Sequence, residues 1–170
     1  MIFTKTSSVF TLRYGMVASA FFALTANAAD TTPSSLPEPV AAVATTSKPD
    51  RMAVARDAIK AKDWQKSIAE LTLQAKEAPG NADTYNLLGY SLRKQARPDL
   101  PKAFEYYRLA LKTNPAHKGA NEYIGEAYLM DSQPAKAQEH LAALKTICGN
   151  TTCAEYQDLA KSIAAYKAKN

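Results

Sequence analysis

A pattern that repeats about every 34 residues constrains this fold more than any other feature of the sequence. From residue 48 onward the apolar residues have helical spacing. Three segments then share one order: a small residue, a large apolar residue four positions later, and a helix breaker eight positions after that. The three sets are Ser67, Leu71 and Pro79; Ala103, Tyr107 and Pro115; and Ala137, Leu141 and Gly149. A helical period repeated in this way predicts an all-α chain of stacked helix pairs.

Two glycines precede the small residues of the second and third segments. Gly89 and Gly125 each have apolar neighbours. We expect each glycine to lie where the two helices of a hairpin cross closely, with Ala103 and Ala137 as the matching small face of the second helix. A flexible hinge is the alternative, and the apolar neighbours favour packing.

The pattern resembles the tetratricopeptide repeat, in which a large residue, a Leu-Gly pair, a Tyr, a small residue, a large apolar residue and a Pro take set positions. The resemblance covers about two-thirds of the chain. It implies an all-α, right-handed superhelical solenoid of three helix hairpins. The repeats would be residues 48–81, 82–117 and 118–151 of a domain over 50–170.

A last amphipathic segment predicts a capping helix over 153–168. One helical stripe of this segment holds Tyr156, Leu159, Ile163 and Tyr166. A stack of repeats leaves its final apolar face open, and a closing helix covers that face. A partner-binding helix is the alternative use of the same stripe.

Helix start signals also fit the repeats. Asp99 or Ser132 can cap the second helix of its repeat, and Pro101 and Pro134 then fall in the first turn, where a missing N–H costs little.

Residues 1–28 have the three parts of a secretory signal peptide. Lys5 and Arg13 precede an apolar stretch of about ten residues, and Ala26 and Ala28 provide the small residues of a cleavage site. An uncleaved membrane anchor is the alternative, but a spanning helix needs about 20 apolar residues. We therefore expect cleavage near Ala28, no membrane span in the mature chain, and a periplasmic or secreted protein.

Residues 29–49 are rich in Pro, Ala and Thr and contain no aromatic residue. Such a segment buries too little apolar area to offset the entropy of ordering it, so it predicts a disordered spacer.

The charge balance and the motifs exclude several functions. Removal of the leader's two basic residues leaves 19 basic and 16 acidic residues, a balance of +3. That modest excess does not predict a nucleic-acid binder. The sequence has no Gly-rich phosphate loop, no G-x-S-x-G and no HExxH motif, so we expect no enzyme, no catalytic residues and no cofactor.

Cys148 and Cys153 lie at the junction between the third repeat and the cap. In an oxidising compartment they should pair, and closing so short a loop contributes about 2 kcal/mol in the chain-entropy model. A redox-active pair and two unpaired thiols are the alternatives. His117 and His140 lack metal-ligand spacing, so we expect hydrogen-bonded or solvated histidines and no metal site.

The resemblance further implies a concave groove lined by the first helix of each repeat. The positions that carry over are Met52, Arg56 and Ile59 in repeat one; Asn86, Tyr90, Arg93 and Lys94 in repeat two; and Glu122, Glu126 and Leu129 in repeat three. The predicted partner-binding residues are the polar and aromatic ones: Arg56, Asn86, Tyr90, Arg93, Lys94, Glu122 and Glu126. Such a groove would be basic and aromatic in its first half and acidic at its far end.

Two glutamates at positions where carboxylate-binding members of the family have cations argue against a carboxylate clamp. The charges favour an extended segment that carries both signs, with Tyr90 as the strongest contact. Ordinary solvated charges are the alternative for any single residue.

The sequence therefore predicts a periplasmic, non-enzymatic adaptor that binds a protein or an extended peptide and no nucleic acid. An envelope chaperone with many clients, a thiol-disulfide helper and a self-assembling protein are the alternatives.

Overall fold

The structure is a computed structural model that describes residues 50–170. This range consists of seven α-helices and contains no strand. The helices are α1 Arg51–Lys60, α2 Trp64–Glu77, α3 Ala82–Lys94, α4 Leu100–Thr113, α5 Lys118–Met130, α6 Pro134–Cys148 and α7 Ala154–Lys169. The all-α class is confirmed. The predicted signal peptide and spacer, residues 1–49, lie outside the described residues.

Short polar side chains start most of the helices. Each accepts a hydrogen bond from a backbone N–H of the first turn, which would otherwise lack a partner. The capping residues are Asp50 for α1, Asp63 for α2, Asn81 for α3, Asp99 for α4 and His117 for α5. The predicted cap at Asp99 is therefore confirmed.

The predicted cap at Ser132 is wrong. Ser132 has a φ of 57° and lies in the turn after α5, two residues before α6 begins. Gln133 takes the capping position without a side-chain hydrogen bond, and Pro134 follows in the first turn. Proline has no N–H there to satisfy, so this helix has less need of a side-chain cap.

The helices stack in chain order, and each packs on its neighbour in sequence. The first helices of successive units also touch, because α3 packs on α5 and α5 packs on α7. The pairs α1–α2, α3–α4 and α5–α6 lie within the three predicted repeat intervals, and α7 follows them.

Three apolar clusters join one unit to the next. The first contains Met52, Ala55, Leu71 and Leu88; the second contains Leu92, Ala103, Phe104, Tyr107, Ile124 and Ala127; the third contains Leu129, Ala137, Leu144, Leu159 and Ile163. The first two clusters draw on two helix pairs each, and the third draws on α5, α6 and the final helix α7, so each unit buries its apolar face against its neighbour.

The stripe predicted on α7 is confirmed as a packing face. Leu159 and Ile163 are buried in the third cluster, and Tyr156 and Tyr166 pack beside them. The Cys148–Cys153 disulfide joins the end of α6 to the start of α7, as the sequence predicts.

Both glycines lie at close helix contacts, as predicted, but at neither of them is the predicted alanine, Ala103 or Ala137, the nearest neighbour. A Cβ at Gly89 would lie 2.6 Å from Tyr107 Cε1 on α4, so this glycine does allow a close approach within a hairpin. A Cβ at Gly125 would lie 2.6 Å from Leu159 Cδ2 on α7. The close contact of Gly125 is therefore with the final helix and not with Ala137, because α7 stacks directly on α5.

Candidate functional site

An open groove of about 450 Å³ lies between α3, α5 and α7, and we call it the α3–α5–α7 groove. Its lining residues are Tyr90, Arg93, Lys94, Glu122, Tyr123, Glu126, Asp158, Lys161, Ser162 and Ala165. The structure thus brings together five of the seven predicted partner-binding residues. Arg56 and Asn86 do not line this groove.

Aromatic rings form one wall of the groove. The rings of Tyr90 on α3 and Tyr123 on α5 have centroids 4.8 Å apart, and Trp64 of α2 meets Tyr90 edge-on at 6.1 Å. Tyr90 and Tyr123 are only half-buried. A rigid aromatic pair of this kind supplies contact area at low entropic cost.

Arg93 lies beneath this wall and is almost fully buried, with 6% of its surface exposed. Its Nη2 donates to Glu126 Oε2 at 2.6 Å, and its Nε donates to the Tyr107 hydroxyl at 3.3 Å. The guanidinium carbon is 5.6 Å from the centroids of both the Tyr90 and Tyr123 rings. The guanidinium is thus held within the protein by an ion pair, a hydrogen bond and two aromatic rings.

Glu126 connects three helices. Its Oε2 accepts from Arg93 on α3, and its Oε1 accepts from Ser162 Oγ on α7 at 3.1 Å. We call Arg93, Glu126 and Ser162 the closed part of the groove. Burial raises the pKa of the Tyr107 hydroxyl below it, which keeps that hydroxyl neutral beside the guanidinium.

Glu122 lies one helical turn before Glu126 and has different surroundings. It is half-buried, and it has no hydrogen bond or ion pair with any described residue. Burial raises the pKa of its carboxyl from about 4.5 to about 8, and the negative charges of Glu126, Asp158 and Glu155 add to the effect. We call Glu122, Tyr123 and Asp158 the open part of the groove.

The field of these carboxylates also acts on Tyr123. Burial raises the pKa of its hydroxyl to about 12, and the neighbouring Glu122 contributes. The open part is therefore a region that favours positive charge.

Several positions predicted to face the groove are buried instead. Met52 and Leu129 belong to the first and third apolar clusters, and Asn86 is 5% exposed. The next unit of the stack covers these positions; a Cβ at Gly119 on α5, for example, would lie 3.2 Å from Asn86 Nδ2. Asn86 Oδ1 is buried without a hydrogen bond to any described residue.

The predicted separation of charge is wrong for Arg93. This cation was expected in a basic half, away from the acidic end, but it pairs directly with Glu126. The first helices of successive repeats touch, so a long side chain on α3 reaches α5.

Arg56 belongs to a second charged group on a different part of the surface. Its Nη2 is 4.0 Å from Asp83 Oδ2, and Asp83 Oδ1 is 3.0 Å from His117 Nε2. Arg56 and Asp83 are both more than half exposed, so these contacts are weak surface interactions.

The sequence analysis did not predict five of the groove residues: Tyr123, Asp158, Lys161, Ser162 and Ala165. Three of the lining residues of α7, Asp158, Ser162 and Ala165, have i, i+4, i+7 spacing. They immediately precede Leu159, Ile163 and Tyr166 of the packing face, of which the first two are buried and the third is half-buried. This row of residues lies on the side of α7 next to its packing face. Its helical spacing is therefore the sequence feature from which the α7 groove residues could have been predicted.

The remaining candidates for chemistry have structural roles. His117 accepts from the N–H of Ala120, and His140 contacts Asn121 Oδ1 at 3.0 Å. Burial lowers the pKa of His140. The ligand atoms of Cys148, Cys153 and Glu155 lie within 4.8 Å of one another, but the two sulfur atoms are bonded to each other.

No helix within residues 50–170 has the length and apolar character needed to cross a bilayer.

Comparison with known proteins identifies the fold. Nineteen chains of solved structures are similar to this protein. One is a TPR2B domain in a complex with pHsp70, from yeast Sti1; it superposes with a TM-score of 0.63 over 71% of this chain and 95% of its own, at 18% sequence identity. This protein has the tetratricopeptide-repeat fold.

The match confirms the resemblance that the repeat pattern indicated. The seven helices of the described region are thus three repeat hairpins followed by a final helix. No protein-family model matches the sequence, and no curated protein matches it. The right-handed sense of the superhelix stays a prediction.

Proposed function

We propose that this protein is a non-enzymatic interaction scaffold that binds an extended segment of another protein in the α3–α5–α7 groove. The observation that carries the proposal is the half-buried Tyr90–Tyr123 pair, open to solvent beside charges of both signs. Aromatic side chains in such a setting are the usual anchors of protein interfaces. The domain of yeast Sti1 with the same fold is itself in a complex with pHsp70.

The closed part of the groove supports a rigid binding surface. Arg93, Glu126 and Ser162 tie α3, α5 and α7 together beneath the aromatic wall. A preformed surface loses little entropy when it binds, which favours recognition of a flexible partner segment.

We also propose that the mature protein acts in the periplasm or outside the cell. The basic and apolar leader with its small-residue cleavage site supports this location, as does a disulfide at the α6–α7 corner. Mass spectrometry of exported protein should find a mature chain that begins at Ala29. A chain that still carries Met1 would refute the proposed cleavage.

Photo-crosslinking in cells tests the binding function. A photoreactive amino acid replaces Tyr90 in one variant and Leu109 in the control; Leu109 is on α4 and 41% exposed. We expect one dominant crosslinked protein from position 90 and none from position 109. Equal crosslinking at both positions would refute the proposal.

The same experiment separates the scaffold from an envelope chaperone. A chaperone has the same groove but accepts many clients. A ladder of crosslinked products from position 90, without a dominant partner, would favour the chaperone.

A further inference from the structure

The open part of the groove has an excess of negative charge. Glu122 on α5 and Asp158 on α7 line the groove together, and Glu126, which also lines it, lies one turn away on α5. Arg93 is a buried cation in the same groove, but Glu126 already binds it at 2.6 Å. Its attraction offsets the repulsion at Glu122 only in part.

The exposed cations at the rim leave Glu122 unpaired. Lys94 on α3 and Lys161 on α7 both line the groove, and neither forms an ion pair with Glu122 among the described residues. Lys94 lies with its Nζ 5.8 Å from the Tyr90 ring centroid instead. The half-buried carboxyl group of Glu122 thus lies in an open groove that a positively charged group of a partner can enter.

We propose, building on the proposed function, that the open part of the groove binds a lysine or arginine side chain of the partner segment, with its charged end at Glu122 and its aliphatic stem along Tyr123. Glu122, Asp158 and the Tyr123 ring provide the complementary chemistry: carboxylates for the cation and an aromatic face for the stem. The partner is therefore an extended segment that presents a basic residue.

Selection from a randomised peptide display library on the mature protein provides the probes. We expect the enriched peptides to share a Lys or Arg at one position. Enrichment without a basic residue would overturn this inference and leave the proposed function standing. If no peptide is enriched, both are overturned.

A double-mutant cycle then tests the contact itself. The probe is the most enriched basic peptide, compared with an analogue that has methionine in place of the basic residue. Fluorescence anisotropy at a pH above 8, where Glu122 is ionised, should show that the wild-type protein binds the basic peptide about tenfold more tightly than the analogue, which is the usual scale of a charge-assisted contact. In Glu122→Gln this preference should disappear.

Glu105→Gln is the matched control, because Glu105 is exposed on α4 and does not line the groove. It should keep the tenfold preference. If Glu122→Gln keeps that preference as well, Glu122 does not bind the basic residue and the inference fails.

Crosslinking from position 122 tests two other possible occupants of the groove. An intramolecular crosslink from position 122 to residues 29–49 would show that the chain's own segment fills the groove. A crosslinked pair of identical chains would show that a second copy fills it. Either result would overturn the inference.

Discussion

The closed and open parts of the groove lie one turn apart on α5, yet their carboxylates have different environments. Glu126 accepts hydrogen bonds from Arg93 and Ser162, whereas Glu122 has no cationic partner among the described residues. Both face α7. The chain thus satisfies one acidic group internally and leaves its neighbour to solvent or to a partner.

The difference separates a structural role from a binding role. A buried ion pair has lost its solvation and depends on its geometry, so it fixes how the helices pack. With a pKa near 8, Glu122 is largely protonated at neutral pH while the groove is empty, so a cationic partner that binds there displaces its proton and pairs with the carboxylate.

The largest loss of stability should follow from removal of the Arg93–Glu126 ion pair in the closed part. Arg93→Met leaves Glu126 partly buried without its cation, and loss of one partner of such a pair costs about 3 to 5 kcal/mol. Urea denaturation should show this loss in the free energy of unfolding. The control, Arg97→Met, alters an exposed loop and should change stability little. A loss below about 1 kcal/mol for Arg93→Met would mean that the pair behaves as a surface salt bridge.

The close contact between Gly125 on α5 and Leu159 on α7 provides the next test. In Gly125→Leu the new side chain enters the space of Leu159 on α7, and overpacking of this kind costs about 1 to 3 kcal/mol. Gly80→Leu is the control, because a Cβ at Gly80 has nothing within 4 Å. Thermal unfolding of the two variants should differ by several degrees, and equal melting temperatures would contradict the close α5–α7 approach.

Reduction of the disulfide tests how much this bond stabilises the packing of α7, the helix that borders both parts of the groove. Cys148 and Cys153 close a short loop between α6 and α7, so reduction should lower the free energy of unfolding by about 2 kcal/mol. Denaturation with and without a reductant measures the change. A Cys148→Ser, Cys153→Ser variant should match the reduced protein and should not respond to the reductant. No change in either comparison would show that the disulfide does not contribute to stability.

The smallest effect should appear in the open part. The pKa of Glu122 rises from about 4.5 to about 8 on folding, so the wild type should lose stability as the pH rises through this range. Glu122→Gln cannot ionise and should become the more stable of the two above about pH 8, by on the order of 1 kcal/mol after allowance for solvent screening. Urea denaturation at a series of pH values compares the two, with Glu105→Gln as the control. Parallel pH profiles for the wild type and Glu122→Gln would contradict the prediction.

The sequence predicts the repeat fold well because the spacing of small and large residues directly sets how helices pack. Ala103, Tyr107 and Ala137 are all fully buried, as their place in the pattern requires. The stripe on α7 follows from the same logic.

The site was harder to predict because it depends on contacts between repeats. From its helix alone Arg93 is expected to be an exposed cation. Its burial depends on contacts from distant positions, such as Tyr107, 14 residues away, and Glu126, 33 residues away. The close approach of Leu159 on α7 to Gly125 likewise depends on how α7 stacks on the third repeat. Helical periodicity describes one helix at a time and does not contain this information.

A titration of the Glu122 carboxyl by carbon-13 NMR tests the difference between the two parts most directly. The Glu122→Gln spectrum assigns the signal. We predict a midpoint near pH 8, because the carboxyl is half-buried among Glu126, Asp158 and Glu155. A midpoint near pH 4.5, the ordinary value for glutamate, would show that Glu122 is solvated or already paired and would contradict the proposed open part.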